Sequence, residues 1–188
     1  MTHMDRKTLL ERAGIGAGAL AVPALLGAEA AFAGPANGHR TYTLVAFSQA
    51  TSAPGVANPK LLLVCCGNFK PDAGQIKGGG HWALNDWDGS FGTARLISSG
   101  LWQPTELVDY ATFGQPVGAT QASIIDMRAD FEGLASNAQM RLICNIGPAG
   151  ILTGQPEGYK ATIPGFSEFV PFGLGLSNIS IEGMHLSA

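Results

Sequence analysis

The stretch from Gly78 to Gly89 holds the densest group of side chains that could bind or transform a ligand. It contains three consecutive glycines, two of the three tryptophans, one histidine and two aspartates. Asp-Gly pairs and Asn or Asp side chains favour tight turns with positive φ, and the flanking sequence has the character of β-strands. The stretch therefore predicts a hairpin whose tip presents an indole ring and carboxylates.

We predict a ligand site at this tip, made of Trp87, Asp86, Asp88 and Trp102. Trp87 lies within the turn, where an exposed ring can stack on a sugar ring while the carboxylates accept hydrogen bonds from its hydroxyls. Trp102 stands just before Pro104, at an expected strand end near the mouth of the same pocket. This set predicts a non-enzymatic module that binds a small or carbohydrate-like ligand or serves in interactions.

The alternative is an extracytoplasmic isomerase, cyclase or hydrolase. General acid–base catalysis needs a titratable side chain with an orienting partner, and His81 with Asp86 or Glu106 is the pair that the sequence offers. After residue 33 the chain contains no G-x-S-x-G, H-E-x-x-H or P-loop pattern. The enzyme hypothesis therefore depends on whether the fold brings His81 beside a carboxylate.

No metal site, cofactor or nucleic-acid partner is predicted. A calcium loop would need a Glu at its twelfth position, where this chain has Arg95. The net charge is −3, and it remains −3 without the first 33 residues because they contain three charged residues of each sign. No two basic residues are adjacent after that point, which argues against nucleic acid and anionic membranes as partners.

The three cysteines allow two interpretations. In an oxidising compartment, Cys144 is expected to form a disulfide with Cys65 or Cys66. Neighbouring residues on a strand point to opposite faces, so only one of the adjacent pair can face Cys144. Three unbonded thiols are the alternative.

Hydrophobic periodicity predicts an all-β fold. Between Ala122 and Phe131, apolar side chains such as Ile125 and Met127 alternate with charged ones such as Asp126, as in a strand with one buried face. Turn residues separate about eight such strands, which favours a small antiparallel barrel, with a β-sandwich as the alternative. The layout is similar to lipocalin-like and dirigent-like barrels, but no motif of either family is present, so the similarity implies nothing about function.

The segment from Lys60 to Phe69 departs from this alternation. Its run Leu61–Cys66 is apolar at every position, which predicts a strand covered on both sides. A second subunit could supply the outer cover. The run therefore suggests a homo-oligomer, and a structural envelope protein is a further hypothesis.

The first 33 residues have the features of an export signal. A basic segment, Asp5–Leu10, precedes an uncharged apolar stretch from Ala13 to Leu26, and Ala31-Phe32-Ala33 is an A-x-A cleavage site. The segment resembles a bacterial twin-arginine signal, with Arg6-Lys7 in place of two arginines. The resemblance implies cleavage, no stable membrane anchor afterwards, and a location outside the cell or in the envelope or periplasm. The size of the remaining chain, residues 34–188, predicts a single all-β domain.

Overall fold

The computed structural model describes residues 38–90, 92–117 and 120–181. The predicted signal peptide, residues 1–33, lies outside the described residues. The described part contains eight strands, a short helix α1 (Gly147–Leu152) and a 3-10 turn at Pro71–Ala73. The strands are β1 (Arg40–Gln49), β2 (Pro59–Lys70), β3 (Gln75–Asp86), β4 (Arg95–Val117), β5 (Thr120–Phe131), β6 (Ala135–Cys144), β7 (Gly158–Thr162) and β8 (Val170–Ile181).

The strands form one antiparallel sheet that nearly closes into a barrel. Their order is β4-β3-β2-β1-β8-β5-β6-β7, and an additional pairing joins β4 to β5. On the edge that does not pair with β4, strand β5 also pairs with β8, through the single residue pair Thr120 and Ser180. Closure removes most exposed sheet edges, which a chain with few charges would otherwise leave open to pairing with other chains. The predicted all-β barrel is confirmed.

Strand β4 makes this closure possible because it is long enough to pair first with β3 and then with β5. It has 23 residues, and it pairs with β3 as far as Trp102 before continuing along β5. A strand end or a strand edge was expected at Pro104, which cannot donate a backbone hydrogen bond. The strand does not end there: its register against β5 shifts between Pro104 and Glu106, and Pro104 lies where β4 has already left β3.

The core follows the predicted alternation in β5. Ile125, Met127, Ala129 and Phe131 are buried, whereas Asp126, Arg128 and Asp130 between them are partly exposed. The buried face belongs to one continuous cluster that includes inward side chains of β1, β2 and β3. Burial of these apolar side chains is the dominant favourable contribution to folding.

The glycine run predicted to mark a close approach packs against the protein itself. A Cβ atom at Gly79 would lie 2.2 Å from the Trp102 carbonyl oxygen, and one at Gly67 on the neighbouring strand would lie 2.4 Å from the Tyr42 ring. The φ of Gly79 is +130°, which side chains rarely tolerate. Glycine is therefore required at position 67 so that Tyr42 can cross β2 and donate its hydroxyl to the Lys77 carbonyl oxygen at 3.2 Å. At position 79 it allows the Trp102 backbone of β4 to approach closely.

Strand β2 is apolar on both faces, as predicted. Leu61 and Leu63 point into the core, whereas Leu62 and Val64 face outward. The outward residues join side chains of β1, β3 and β4 in a surface that we call the outer apolar face. It consists of Thr43, Val45, Phe47, Leu62, Val64, Cys66, His81, Ala83, Ser99 and Leu101.

No disulfide joins the cysteines, which corrects the predicted bond of Cys144 to Cys65 or Cys66. Cys65 and Cys144 are buried and Cys66 is exposed, and none of the three is disulfide-bonded. Cys65 and Cys66 do point to opposite faces, as adjacency in a strand requires. Burial raises the pKa of Cys65 to about 12, with a further contribution from nearby Cys66, so the Cys65 thiol stays protonated and unreactive at neutral pH.

Candidate ligand site at the β3–β4 hairpin

The connection between β3 and β4 forms a groove at one end of the barrel. Asp86 and Arg95 face each other as the last pair of the two strands, and the intervening turn carries Trp87 and Asp88. The groove has a volume of about 240 Å³. We call it the hairpin groove, and it is lined by Asn58, Asp86, Asp88, Thr93 and Arg95.

Asp86 is held in place by donors from two directions. Its Oδ1 accepts a hydrogen bond from the Asn58 backbone N–H at 2.9 Å, and its Oδ2 accepts one from Arg95 Nη2 at 3.2 Å. The Asn58 backbone N–H, followed by the Arg95 guanidinium, lowers the pKa of the Asp86 carboxyl. Asp86 is therefore ionised and oriented without any ligand.

Asp88 is oriented by its own turn. Its Oδ1 accepts hydrogen bonds from the Ser90 backbone N–H at 2.8 Å and from the Thr93 hydroxyl at 2.7 Å. These two donors, the Ser90 backbone first, lower the pKa of the Asp88 carboxyl. Both of these bonds end on Oδ1, and the Asp88 side chain is exposed in the groove.

Trp87 is half-buried, although the turn predicted an exposed ring. Its ring lies 5.4 Å from the Phe47 ring and 5.6 Å from the Phe172 ring, centroid to centroid. Its Nε1 donates to the Ser90 carbonyl oxygen at 2.7 Å. On the far side of this cluster, Lys60 Nζ lies 4.6 Å above the Phe172 ring. The indole is fixed between Phe47 and Phe172 with part of its surface open, and it is not among the residues that line the hairpin groove.

Trp102 does not join this site. It is only 2% exposed, and its ring stacks on Phe131 inside the barrel with centroids 5.8 Å apart. The expectation of a strand end at Pro104 had placed Trp102 at a pocket mouth. Because β4 instead continues past Pro104, Trp102 keeps its inward position opposite Gly80.

The fold does not bring the candidate acid–base residues together. His81 is exposed on the outer apolar face, between Val64 and Leu101 on the neighbouring strands. Asp86 lies five residues further along β3, which is about 16 Å at roughly 3.3 Å per residue. Glu106 is equally far beyond Leu101 along β4, where it pairs with Arg128 of β5.

Three residues of the groove were missed by sequence reasoning. Asn58 comes from the loop before β2, and it is held at the site by its backbone N–H, which donates to Asp86, and by its carbonyl oxygen, which accepts from the Trp87 backbone N–H at 3.0 Å. Thr93 and Arg95 follow the turn directly, and a pattern of Asp88 with a hydroxyl residue five positions later could have indicated the first of them. Arg95 is placed by the register of β3 and β4, which the sequence does not display.

Within residues 38–90, 92–117 and 120–181, no three His, Cys, Asp or Glu side chains are grouped so that they could hold a metal ion. No helix in the same ranges is long and apolar enough to cross a membrane. No family model, curated protein or solved structure matches the chain.

Proposed function

We propose that the protein is an exported, non-enzymatic module that binds a small neutral saccharide in the hairpin groove. The observation that carries this proposal is the pair of fixed, ionised carboxylates, Asp86 and Asp88, that line the groove together with the Arg95 guanidinium. Carboxylates are strong acceptors for hydroxyl groups, because hydrogen bonds to an ionised acceptor are about twice as strong as neutral ones.

The preorganisation of the groove supports the same assignment. Both carboxylates already have the orientation that their protein donors impose, so a ligand need not order them, and the entropic cost of binding falls accordingly. Arg95 donates through one Nη2–H and retains other N–H groups for a ring or hydroxyl oxygen. A saccharide offers hydroxyl donors for the carboxylates and oxygen acceptors for the guanidinium, which together match this set.

Binding of neutral mono- and oligosaccharides to the full chain, followed by indole fluorescence and by calorimetry, tests the proposal. Asp88→Asn keeps the shape and the Oδ1 acceptor but removes the charge, so we expect at least a tenfold rise in Kd, equivalent to about 1.4 kcal/mol. Asp72→Asn, in the exposed turn before β3, is the matched control. Absence of saturable binding, or an equal loss in the control, would contradict the proposal.

Self-association through the outer apolar face is a second candidate function. Val45, Val64 and Leu101 are 49%, 39% and 53% exposed, and the outer apolar face contains no Lys, Arg, Asp or Glu. Two copies can therefore meet face to face without like-charge repulsion, and the contact would bury apolar surface. The face spans four strands, about 15–20 Å at roughly 4.8 Å per strand, so we expect a dimer that dissociates on dilution.

Sedimentation of the full chain over a range of concentrations tests this second candidate. Val64→Lys places a charge at the centre of the face and is expected to abolish the dimer. Ile151→Lys is the matched control, since Ile151 is exposed on α1 away from the face. A monomer at all concentrations, or equal disruption by both substitutions, would rule out self-association through this surface.

A further inference from the structure

A second groove crosses the outer surface of β5, β6 and β7, away from the hairpin. Its volume is about 360 Å³. We call it the sheet groove. It is lined by Val108, Asp126, Met127, Arg128, Gln139, Met140, Arg141, Lys160, Ala161, Thr162 and Glu168.

Strand register places two cations side by side in the sheet groove and a third in the adjacent row. Arg141 of β6 pairs with Asp126 of β5 on one side and with Lys160 of β7 on the other. Arg128 lies two residues along β5 from Asp126 and therefore on the same face of the sheet. Neighbouring strands are about 4.8 Å apart, so one small ligand can contact side chains from all three strands.

The three cations differ in how they are held. Asp126 accepts two hydrogen bonds from Arg141, at 2.6 Å to Nε and 2.7 Å to Nη2. This bidentate pair with Asp126 is the main cause of the raised pKa of Arg141, and it fixes the guanidinium in the sheet plane. The side chains of Arg128 and Lys160 form no hydrogen bond or ion pair with the described residues, although Glu106 of β4 lies opposite Arg128 in the register. Two cations without a bonded partner, which we call uncompensated, therefore flank one rigid, compensated pair.

Neutral hydrogen-bonding groups occupy the next row of the groove. Gln139 pairs with Arg128 on one side and with Thr162 on the other. Glu168 lines the far side of the groove and can accept hydrogen bonds from hydroxyl groups. Across the groove this row therefore presents a cation, an amide, a hydroxyl and a carboxylate, which belong to Arg128, Gln139, Thr162 and Glu168.

We propose that the sheet groove binds a sugar acid, with its carboxylate between Arg128 and Lys160 and its hydroxyls on Gln139, Thr162 and Glu168. A carboxylate satisfies the two uncompensated cations, and arginine binds planar carboxylates with particular specificity. Asp126 and Glu168 would repel a polyanion, which excludes nucleic acid and favours a ligand with a single negative group. The site shares no residue with the hairpin groove.

Calorimetry with galactose oligomers that carry one terminal galacturonic acid residue, the acidic oligomer, and with neutral galactose oligomers of equal length tests the inference on the full chain. Arg128→Gln and Lys160→Gln, each verified as folded by its melting curve, should raise the Kd for the acidic oligomer at least tenfold. Lys70→Gln is the matched control, because Lys70 lies in the β2–β3 turn region away from the groove. Asp88→Asn should leave acidic-oligomer binding unchanged, which separates this site from the hairpin groove.

Binding of the acidic oligomer should also weaken with rising salt concentration, because screening reduces attraction between exposed charges. Equal affinity for acidic and neutral oligomers would overturn the inference, as would an equal loss in Lys70→Gln. Displacement of the acidic oligomer by inorganic sulfate at equal concentration would overturn it too, since the groove would then select charge alone and no sugar acid.

Discussion

The two grooves are built in opposite ways. The hairpin groove is formed mainly by one turn, Asp86–Arg95, and its acidic side chains are already hydrogen-bonded and ionised. The sheet groove collects side chains from Val108 to Glu168 on neighbouring strands, and two of its cations lack partners among the described residues. The first groove is local, anionic and internally satisfied, whereas the second is distributed and offers uncompensated positive charge.

This difference implies different selectivity. Fixed carboxylates favour neutral ligands rich in hydroxyl groups and disfavour anions, whereas free guanidinium and ammonium groups favour anions. The two grooves should also differ in how strongly a substitution among their lining residues lowers the stability of the fold. The floor of the sheet groove includes Met127, which belongs to the core, whereas the residues that line the hairpin groove are outside the hydrophobic cluster.

The largest difference between the grooves is expected from a charge in the core directly beneath the sheet groove. Met127 is 1% exposed, so Met127→Asp buries an unpaired carboxylate and should prevent folding or cost several kcal/mol of unfolding free energy. Val108→Asp at the rim, where the side chain is 55% exposed, should change it by less than about 0.5 kcal/mol. Chemical denaturation of both variants measures the contrast; similar melting of Met127→Asp and the unmodified chain would show the strand register to be wrong.

A smaller difference is expected from the single ion pair of each groove. In the sheet groove the pair is bidentate, with side chains 43% exposed for Arg141 and 23% for Asp126, so Asp126→Asn should lower the unfolding free energy by about 0.5–1 kcal/mol. In the hairpin groove the Arg95 side chain is 67% exposed, and Arg95→Gln should have almost no effect. Urea titrations at low salt test the order, and a larger loss in Arg95→Gln would reverse this part of the comparison.

The smallest effect is expected in the acid range and comes from the hairpin groove. The pKa values of Asp86 and Asp88 are lowered in the folded protein, so each carboxylate contributes stability that is present above its unfolded pKa of about 3.9 and lost as pH falls through the folded value. Replacing both by Asn should flatten the decline in melting temperature below about pH 4. Asp72→Asn serves as the control, and an unchanged slope in the double variant would count against the two carboxylates.

The sequence predicts the parts of this structure that depend on short-range patterns. Alternation identified the buried side of β5, and turn chemistry located Asp86 and Asp88 at a hairpin tip. Both signals lie within a few neighbouring residues. The presence of apolar side chains on both faces of Leu61–Cys66 could likewise be predicted, because successive side chains in a strand alternate between faces.

Features that depend on long-range pairing escaped sequence reasoning. We predicted Trp102 at a pocket mouth because a proline such as Pro104 usually ends a strand. In the structure the register of β4 against β5 shifts after Pro104, and the strand continues. The row of Asp126, Arg141 and Lys160 exists only because three strands align in one register. Pairing of segments far apart in the chain is decided by the whole core, which leaves no local mark in the sequence.

The continuity of β4 ties the two grooves together through the covalent backbone. Its first residue, Arg95, lines the hairpin groove, and Val108 near its middle lines the sheet groove. Cleavage of the chain beside Pro104 would leave every residue that lines the hairpin groove in the N-terminal fragment. Every residue that lines the sheet groove would be in the C-terminal fragment. Because β1 and β8 pair along most of their length, two such fragments retain a long seam for reassembly, and each would carry one binding surface.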